Sequence, residues 1–364
     1  MTAQRFLRLT LFLSVLWALL CLEMGNPPQV QLQSAYEDGR PRATLRLAAS
    51  DYGVVLRHGD GPDQCDLYGA RDVWVYEAHG IYYLHYDAAG PTGWLCALAT
   101  SNDLIRWKKK GPVLTLGNPG EEDAASASYC VTYSDGAPWH LFYLGTPHAT
   151  PPPERIPAFP YLTMKAKSSS PAGPWQKQKT VTPFRPKPGT YYSATASPGQ
   201  VIKHQGEFLQ FFSASIIEPG DKNQIKRTIG IARTRDLDGP WTIDPTPIVP
   251  LDEQIENASL YYEKANQTWF LFTNHVGIKQ GIEYTDAVWA YWSEDVQQWN
   301  PEQKAVVLDA TNCTWSKGVI GLPSVVKVKE RLALFYDGLQ GDGLGHMKRD
   351  IGLAFLDLPL RPPG

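Results

Sequence analysis

The sequence repeats one arrangement of short apolar segments five times, and this repeat limits the folds open to the chain more than any other feature. Short polar turns join each central segment to a β-prone segment before it, as hairpins require. The central segments are rich in aromatic residues: GIYYLHYDA (80–88), APWHLFYLGT (137–146), GEFLQFFSAS (206–215), QTWFLFTNH (267–275) and ERLALFYDG (330–338). A third apolar segment follows each of them, for instance WLCALATS or AVWAYWS.

A polar turn that ends in Trp follows the third segment in four of these repeats. It is written LATSNDLIRW, AKSSSPAGPW, ARTRDLDGPW and YWSEDVQQW, and its last residues are Trp107, Trp175, Trp241 and Trp299. Its Ser and Asp side chains can cap a turn, and a fourth strand follows the Trp. Four antiparallel strands repeated at roughly 60–70 residues are typical of propeller blades. We therefore predict an all-β fold, a five-bladed β-propeller of four-stranded antiparallel blades, as a single domain over residues 26–364.

The fifth repeat lacks both its Trp and its own fourth strand. Because a propeller leaves no free sheet edge, we expect an N-terminal strand, residues 43–50, to close the ring. The composition agrees with a large core and many turns, since 43% of the residues are hydrophobic and there are 31 Gly and 30 Pro. The formal net charge of −3 gives no basic surface for nucleic acid.

The first 25 residues have a different character. Arg5 and Arg8 precede an apolar run from Leu9 to Leu22, which is short for a membrane span and typical of a signal peptide. We therefore expect a secreted or periplasmic protein with no membrane association after cleavage, although Cys21 leaves a lipid anchor open. The remaining cysteines either form two disulfides, with three pairings open, or stay as buried thiols. They are Cys65, Cys96, Cys130 and Cys313.

Candidate functional residues lie where a propeller brings distant parts of the chain together. The start of each innermost strand and the loop between the second and third strands share one face of the ring. Acidic and histidine side chains occur at these places in several repeats: Asp72, Asp87, Asp123, Glu256, His275, Asp337 and His346. For each, a structural role remains open, as a strand cap, a solvated acid or a histidine bonded to a backbone carbonyl. Asp72 is the strongest candidate because it directly precedes an apolar strand.

The segments ARDVWVYEAHGIYYLHYDA, LATSNDLIRWKKKGPVL and IGIARTRDLDGPW resemble those of the five-bladed propeller glycoside hydrolases. The likeness covers residues 66–358 and is nearest to glycoside hydrolase family 43, with families 32, 117 and 130 as relatives. It implies Asp72 as general base and Asp123 as the carboxylate that orients and tunes. In family 43 the general acid is a Glu of the third blade, but here that blade begins SATASPGQVIKH, without an acid. Glu256, or a histidine such as His275, would have to replace it.

We therefore predict an exported glycosidase that cleaves bonds in oligo- or polysaccharides by an inverting acid/base mechanism. Inversion requires the two carboxyl groups to lie ~6.5–9.5 Å apart, so that a water fits between them. Asp87, Asp337, His346 and Trp315 are expected to bind the carbohydrate, Trp315 by stacking on a sugar face. A glycoside phosphorylase, in which Lys317, Arg349 and Arg227 would be weak candidates to bind phosphate, and a non-catalytic carbohydrate-binding propeller remain as alternatives. The sequence predicts no cofactor and no metal ligands, and leaves only a calcium ion on the axis open.

Overall fold

The polypeptide is built from β-strands joined by turns. The computed structural model describes residue 36 and residues 39–136, 138–218, 225–279 and 282–364, so the predicted signal peptide lies outside the described residues. In this part of the chain the only helical segments are two 3₁₀ turns, Pro62–Gln64 and Leu251–Glu253. None of its helices is long and apolar enough to cross a membrane. The predicted all-β class is confirmed.

The strands follow one another in groups that we call units one to five. Two N-terminal strands come first: β1 (Leu45–Arg46) and β2 (Ser50–Leu56). Unit one contains β3 (Gly69–Ala78), β4 (Ile81–Gly90), β5 (Gly93–Ser101) and β6 (Lys108–Pro112). Unit two contains β7 (Ser126–Tyr133), β8 (Trp139–Thr146), the short pair β9 (His148–Ala149) and β10 (Pro157–Ala158), then β11 (Leu162–Ser168) and β12 (Gln176–Lys177).

The second half of the chain continues the same order. Unit three contains β13 (Thr195–Ser197), β14 (Val201–His204), β15 (Glu207–Ile217), β16 (Ile225–Thr234) and β17 (Thr242–Ile243). Unit four contains β18 (Ile255–Glu263), β19 (Thr268–Lys279), β20 (Ile282–Ser293) and β21 (Lys304–Asp309). Unit five contains β22 (Ser316–Val328), β23 (Arg331–Gln340) and β24 (Arg349–Asp357).

In units one and four, successive strands pair antiparallel, as the repeat predicts. In unit two β8 pairs antiparallel with β7 and β11, and in unit three β15 pairs antiparallel with β13, β14 and β16. The strand that completes unit five differs from the one expected from the sequence. We expected residues 43–50 there, but β2 takes the place and pairs with β24, from Ser50 opposite Phe355 to Leu56 opposite Ile351. The preceding strand β1 instead runs parallel to β21 of unit four. The N-terminal segment therefore joins the last two units, and its second strand covers the edge of unit five.

The turn that ends in Trp has the structural role predicted for it. In unit one the Ser101 hydroxyl accepts the backbone N–H groups of Asp103 and Leu104 at 3.1 and 3.0 Å. The indole N–H of Trp107 then donates to the Leu104 carbonyl at 2.8 Å. Unit four repeats the closing bond, from Trp299 to Val296, at 2.8 Å. In units one and four the motif therefore closes the connection between the third and fourth strands by local hydrogen bonds.

Hydrophobic side chains fill the spaces between consecutive units. Phe270 and Phe272 of unit four pack with Leu332 and Leu334 of unit five, and every one of these side chains is fully buried. Units one and two, and units two and three, share similar clusters. Unit five also packs on unit one, where Phe335 belongs to the same cluster as Val75 and Leu84. Strands covered on both faces need apolar residues at nearly every position, which explains the unbroken runs in the sequence.

The four cysteines in the described part of the chain form one disulfide and two buried thiols. Cys96 of β5 is bonded to Cys130 of β7, which links units one and two. Cys65 and Cys313 are buried and free. Of the alternatives that the sequence left open, the structure therefore combines one cross-link with two unpaired thiols.

Candidate active site

The innermost strands of four units carry a β-bulge at the same level. The register shifts by one residue between Arg71 and Trp74 in β3, Ser128 and Cys130 in β7, Glu256 and Ser259 in β18, and Gly321 and Ser324 in β22. One residue of each bulge has a positive φ: Asp72 (52°), Tyr129 (22°), Asn257 (58°) and Leu322 (57°). Such bulges redirect side chains and are frequent beside active sites. All four of these residues line one pocket.

The pocket draws residues from all five units. In unit three the innermost strand is split between β13 and β14, and Ser197 at the break contributes to the wall. The space between the lining residues amounts to about 750 Å³ when the solvent at its open mouth is included. Its charged and titratable lining residues are Arg71, Asp72, Asp87, Arg227, Glu256, Glu283, His346 and Arg349.

Two carboxyl groups of unit one form the first acidic pair. The side chains of Asp72 and Asp87 interact through the repulsion of their charges and through a hydrogen bond that the protonated form of Asp87 can donate. The backbone N–H of Tyr129 donates to Asp87 Oδ1, and the backbone N–H of Asp72 donates to Asp337 Oδ2 at 3.2 Å. Burial and the neighbouring Asp72 raise the pKa of Asp87 well above its usual range. The raised pKa favours the protonated form of Asp87, which can donate a hydrogen bond to Asp72.

A second acidic pair comes from unit four and shares one guanidinium. Arg227 Nη1 donates to Glu256 Oε1 at 2.6 Å, and Arg227 Nη2 lies 2.5 Å from Glu283 Oε1. Burial raises the pKa of Glu256; Arg227 opposes this rise, whereas Glu283 and Asp72 add to it. The pocket therefore places a carboxyl group with a raised pKa within the electrostatic reach of Asp72, although 184 residues separate them in the chain.

His346 reaches the pocket from the glycine-rich loop of unit five. Arg71 Nη1 lies 2.9 Å from His346 Nδ1, and since a guanidinium only donates, Nδ1 accepts and Nε2 carries the proton. Burial, together with Arg71 and Arg349, lowers the pKa of His346 to about 2. Arg349 in turn donates to Asp337 at 3.2 Å. His346 is therefore a neutral hydrogen-bonding group, and a poor source of protons at ordinary pH.

Asp123, which the sequence analysis assigned to the site, lies outside this pocket. Its carboxylate accepts from the hydroxyl of Tyr143 at 2.8 Å and lies 2.5 Å from Lys177 Nζ. The same three-residue arrangement occurs in unit one, where Asp66 accepts from Tyr86 at 3.2 Å and lies 2.5 Å from Lys109 Nζ. Asp123 thus corresponds to Asp66 of unit one, and both carboxylates are held by a Tyr and a Lys of their own unit.

The residue of unit two that corresponds to Asp72 is Tyr129. Asp66 precedes Asp72 by the same interval that separates Asp123 from Tyr129. Tyr129 is buried and lines the pocket. The resemblance to family 43 predicted an orienting carboxylate at this position of unit two, but the structure has the aromatic side chain of Tyr129 there.

Two other predicted residues are also placed elsewhere. His275 is fully buried and stacks on Trp289 with ring centroids 3.7 Å apart, and its Nδ1 lies 3.5 Å from Asp286 Oδ1. Trp315 is buried, and its indole donates to the hydroxyl of Tyr336 at 2.7 Å. Neither lines the pocket, whereas Asp72, Asp87, Glu256 and His346 do.

Asp337 has an indirect place in the site. It is fully buried and binds the Asp72 backbone and Arg349, so it supports the wall of the pocket without lining it. Sequence reasoning missed Arg71 and Glu283. Only their positions could have indicated them. Arg71 directly precedes Asp72, and Glu283 stands at the start of the third strand of its unit.

The residues present give little support to a metal ion. In the described ranges, one group of three His, Cys, Asp or Glu side chains converges closely enough to hold an ion, namely His85, Cys96 and Cys130. The two cysteines of this group are joined to each other, so their sulfur atoms are not thiolate ligands. The calcium ion that the sequence left open on the axis remains untested.

Comparison with known proteins shows which fold the chain adopts. A solved complex of BT0996 with RGII is 15% identical, with 86% of this protein and 94% of that one covered at a TM-score of 0.64. A GH62 α-L-arabinofuranosidase from Coprinopsis cinerea is 13% identical, covering 85% and 97% at 0.60. An endo-arabinase from Bacteroides thetaiotaomicron is 15% identical, covering 80% and 95% at 0.56.

At these identities the comparisons show the fold alone: a β-propeller of the kind found in glycoside hydrolases. The resemblance inferred from the sequence is confirmed at this level. No family model matches the chain. The search of curated proteins also finds no match.

Proposed function

We propose that the protein is an exported glycoside hydrolase whose five units are the blades of one closed propeller. The observation that carries this proposal is the pocket, which gathers the Asp72–Asp87 pair and the Glu256–Glu283 pair from units one and four. Cleavage of a glycosidic bond requires one carboxylic acid and one carboxylate in the same site. Closure is supported by the packing of unit five on unit one.

The two pairs suggest different roles. Glu256, whose pKa is raised, is suited to protonate the leaving oxygen, and Asp72 is suited to activate the water. Asp87 donates a hydrogen bond to Asp72 and so fixes its orientation, the part that the sequence analysis gave to Asp123. Arg227 keeps Glu256 and Glu283 side by side. In this proposal the acid comes from unit four, because unit three presents Ser197 and Arg227 to the pocket but no carboxyl group.

The substrate class follows from the structural neighbours as a proposal. Two of them are named for arabinofuranosides and arabinan, so we propose α-L-arabinofuranosides as the first substrates to test. The decisive experiment uses 4-nitrophenyl α-L-arabinofuranoside with the wild type and the variants Asp72→Asn and Glu256→Gln. Each variant should lose at least ~10²–10⁴-fold in turnover with an unchanged thermal midpoint.

A matched control is Asp135→Asn, because Asp135 pairs with Lys203 on the surface, where its side chain is 54% exposed. This variant should keep full activity. Full activity of Asp72→Asn would refute the mechanism. The anomer that forms first, read by proton NMR, should show inversion; retention would instead assign the second carboxylate a nucleophilic role.

Phosphorolysis is the second candidate, and one observation favours it. Three guanidinium groups, those of Arg71, Arg227 and Arg349, line the pocket, and such groups bind phosphate well. Each of them is already paired with a carboxylate, however. Hydrolysis in phosphate-free buffer would support the first candidate, and formation of a sugar 1-phosphate only with added phosphate would support the second. Lys317, a further phosphate candidate from the sequence, binds backbone carbonyls of its own loop instead.

A further inference from the structure

An insertion in unit two forms one wall of the pocket. Between its second and third strands unit two has a small hairpin over residues 148–158, in which β9 and β10 pair antiparallel. Two of its residues, Ile156 and Pro157, line the pocket. The hairpin is therefore placed to limit what can enter the site.

Hydrogen bonds attach this hairpin on both sides. The indole N–H of Trp94, a residue of unit one, donates to the Glu154 carbonyl at 2.8 Å. The Tyr161 hydroxyl donates to the Pro157 carbonyl at 2.7 Å, and the Thr146 hydroxyl to the Ala158 carbonyl at 2.6 Å. The hairpin thus bridges units one and two at the pocket, with its tip bound to one unit and its base to the other.

The wall that it forms differs chemically from the rest of the pocket. Trp94, Leu144, Ile156 and Pro157 present apolar surface, whereas the acids and arginines come from the other walls. A sugar ring can pack its C–H face on such a wall. A polymer that continued past the ring on this side would have to cross the hairpin, which is bonded to both neighbouring units.

We infer that this hairpin closes the pocket on one side and restricts the enzyme to the terminal residue of its substrate, which makes it an exo-acting glycosidase. The inference rests on the proposed glycosidase function. The fold leaves the choice open, since an endo-arabinase shares it. The hairpin over residues 148–158 is the segment that determines exo action, and Trp94 is the residue that positions its tip.

The test compares free and blocked chain ends. Linear 1,5-linked arabino-oligosaccharides are offered either free or with the non-reducing terminal residue capped by a bulky fluorophore, and the products are separated by chromatography. The wild type should release single arabinose residues from the free chains and cut the capped chains at least ~100-fold more slowly. Internal cleavage of the capped chains by the wild type would overturn the inference.

Three variants test the hairpin itself. Replacing residues 150–155 by Gly-Gly should give new internal cleavage of the capped chains, while Glu154→Gln, which keeps the carbonyl that Trp94 binds, should leave the product pattern unchanged. Trp94→Phe, which removes only the indole donor, serves if the shortened chain does not fold, and should raise the rate on capped chains. If the variant shortened at residues 150–155 folds and keeps the wild-type product pattern, the proposed role of the hairpin is refuted.

The outcomes also separate this inference from the proposed function. Cleavage of 4-nitrophenyl arabinofuranoside together with internal cleavage of the capped chains refutes exo action and retains the glycosidase. Cleavage of no glycoside by the wild type refutes both.

Discussion

The assignment of Asp123 gives the sharpest test of how the site is built. By sequence it is a catalytic carboxylate, but in the structure it is bound by Tyr143 and Lys177, away from the pocket. We predict that Asp123→Asn lowers the free energy of unfolding and leaves turnover within a factor of about two of the wild type. The variant keeps the size of the side chain and removes only its charge.

The magnitude follows from what the substitution leaves behind. The side chains of Asp123 and Lys177 are 5% and 13% exposed, so the change leaves a nearly buried ammonium whose other bond is to the Thr115 carbonyl. Breaking a buried ion pair by removing one partner costs about 3–5 kcal/mol. For a folded part of roughly 330 residues, this corresponds to a drop in thermal midpoint of about 4–7 °C.

Calorimetry and the 4-nitrophenyl arabinofuranoside assay measure the two quantities on the same preparation. The matched control is Asp66→Asn in unit one, where Tyr86 and Lys109 hold the carboxylate in the same way. The two variants should lose similar stability and retain similar activity. If Asp123→Asn instead abolished turnover at an unchanged thermal midpoint, the structural assignment of Asp123 would be wrong.

Three further outcomes are expected. Burial and Asp72 raise the pKa of Asp87, which favours its protonated form, and the proton is lost as the pH rises. Asp87→Asn should therefore stay within about tenfold of wild-type turnover at pH 7 and lose the alkaline fall of the pH profile. Inactivity of this variant at every pH would show that an ionised Asp87 is needed. Replacing Cys96 and Cys130 together by Ser should lower the free energy of unfolding by about 2–4 kcal/mol, measured by denaturant titration. Turnover should be unchanged, because the disulfide links two units outside the pocket. A double variant as stable as the wild type would contradict this prediction. His275→Gln should cost about 1–3 kcal/mol by the same titration with activity retained, because the ring is buried in an aromatic stack; a specific loss of turnover would restore it as the acid.

Within the site, sequence reasoning succeeded where a residue has a strong local context. Asp72 precedes a continuous apolar strand, and both Asp87 and His346 stand in loops or strand ends that the repeat places at one face; all three line the pocket. Glu256 was found in the same way. Arg227 appeared only as a weak phosphate ligand, because nothing in its own segment shows that two glutamates of another unit will share it.

Asp123 was misplaced because a position before an apolar strand does not by itself show which side chain reaches the pocket. Asp123 precedes Tyr129 by the same interval that separates Asp66 from Asp72, so Asp123 corresponds to Asp66. Asp72 and Tyr129 occupy the bulges of their strands and line the pocket, since a bulge redirects a side chain, whereas Asp66 and Asp123 are bound by their Tyr and Lys partners. The bulge itself leaves no mark in the composition of the segment.

The amino-acid sequence by itself determined the strands, their order in repeated units and the Trp-ended turns, because each depends on residues that are neighbours in the chain. Only the tertiary structure decided which acids face the pocket, which arginine neutralises them and which strand covers the edge of unit five. Those relations depend on the register of strands from different units and on contacts between residues as far apart as Asp72 and Asp337. A local pattern carries no record of such distant partners, so they had to be read from the folded chain.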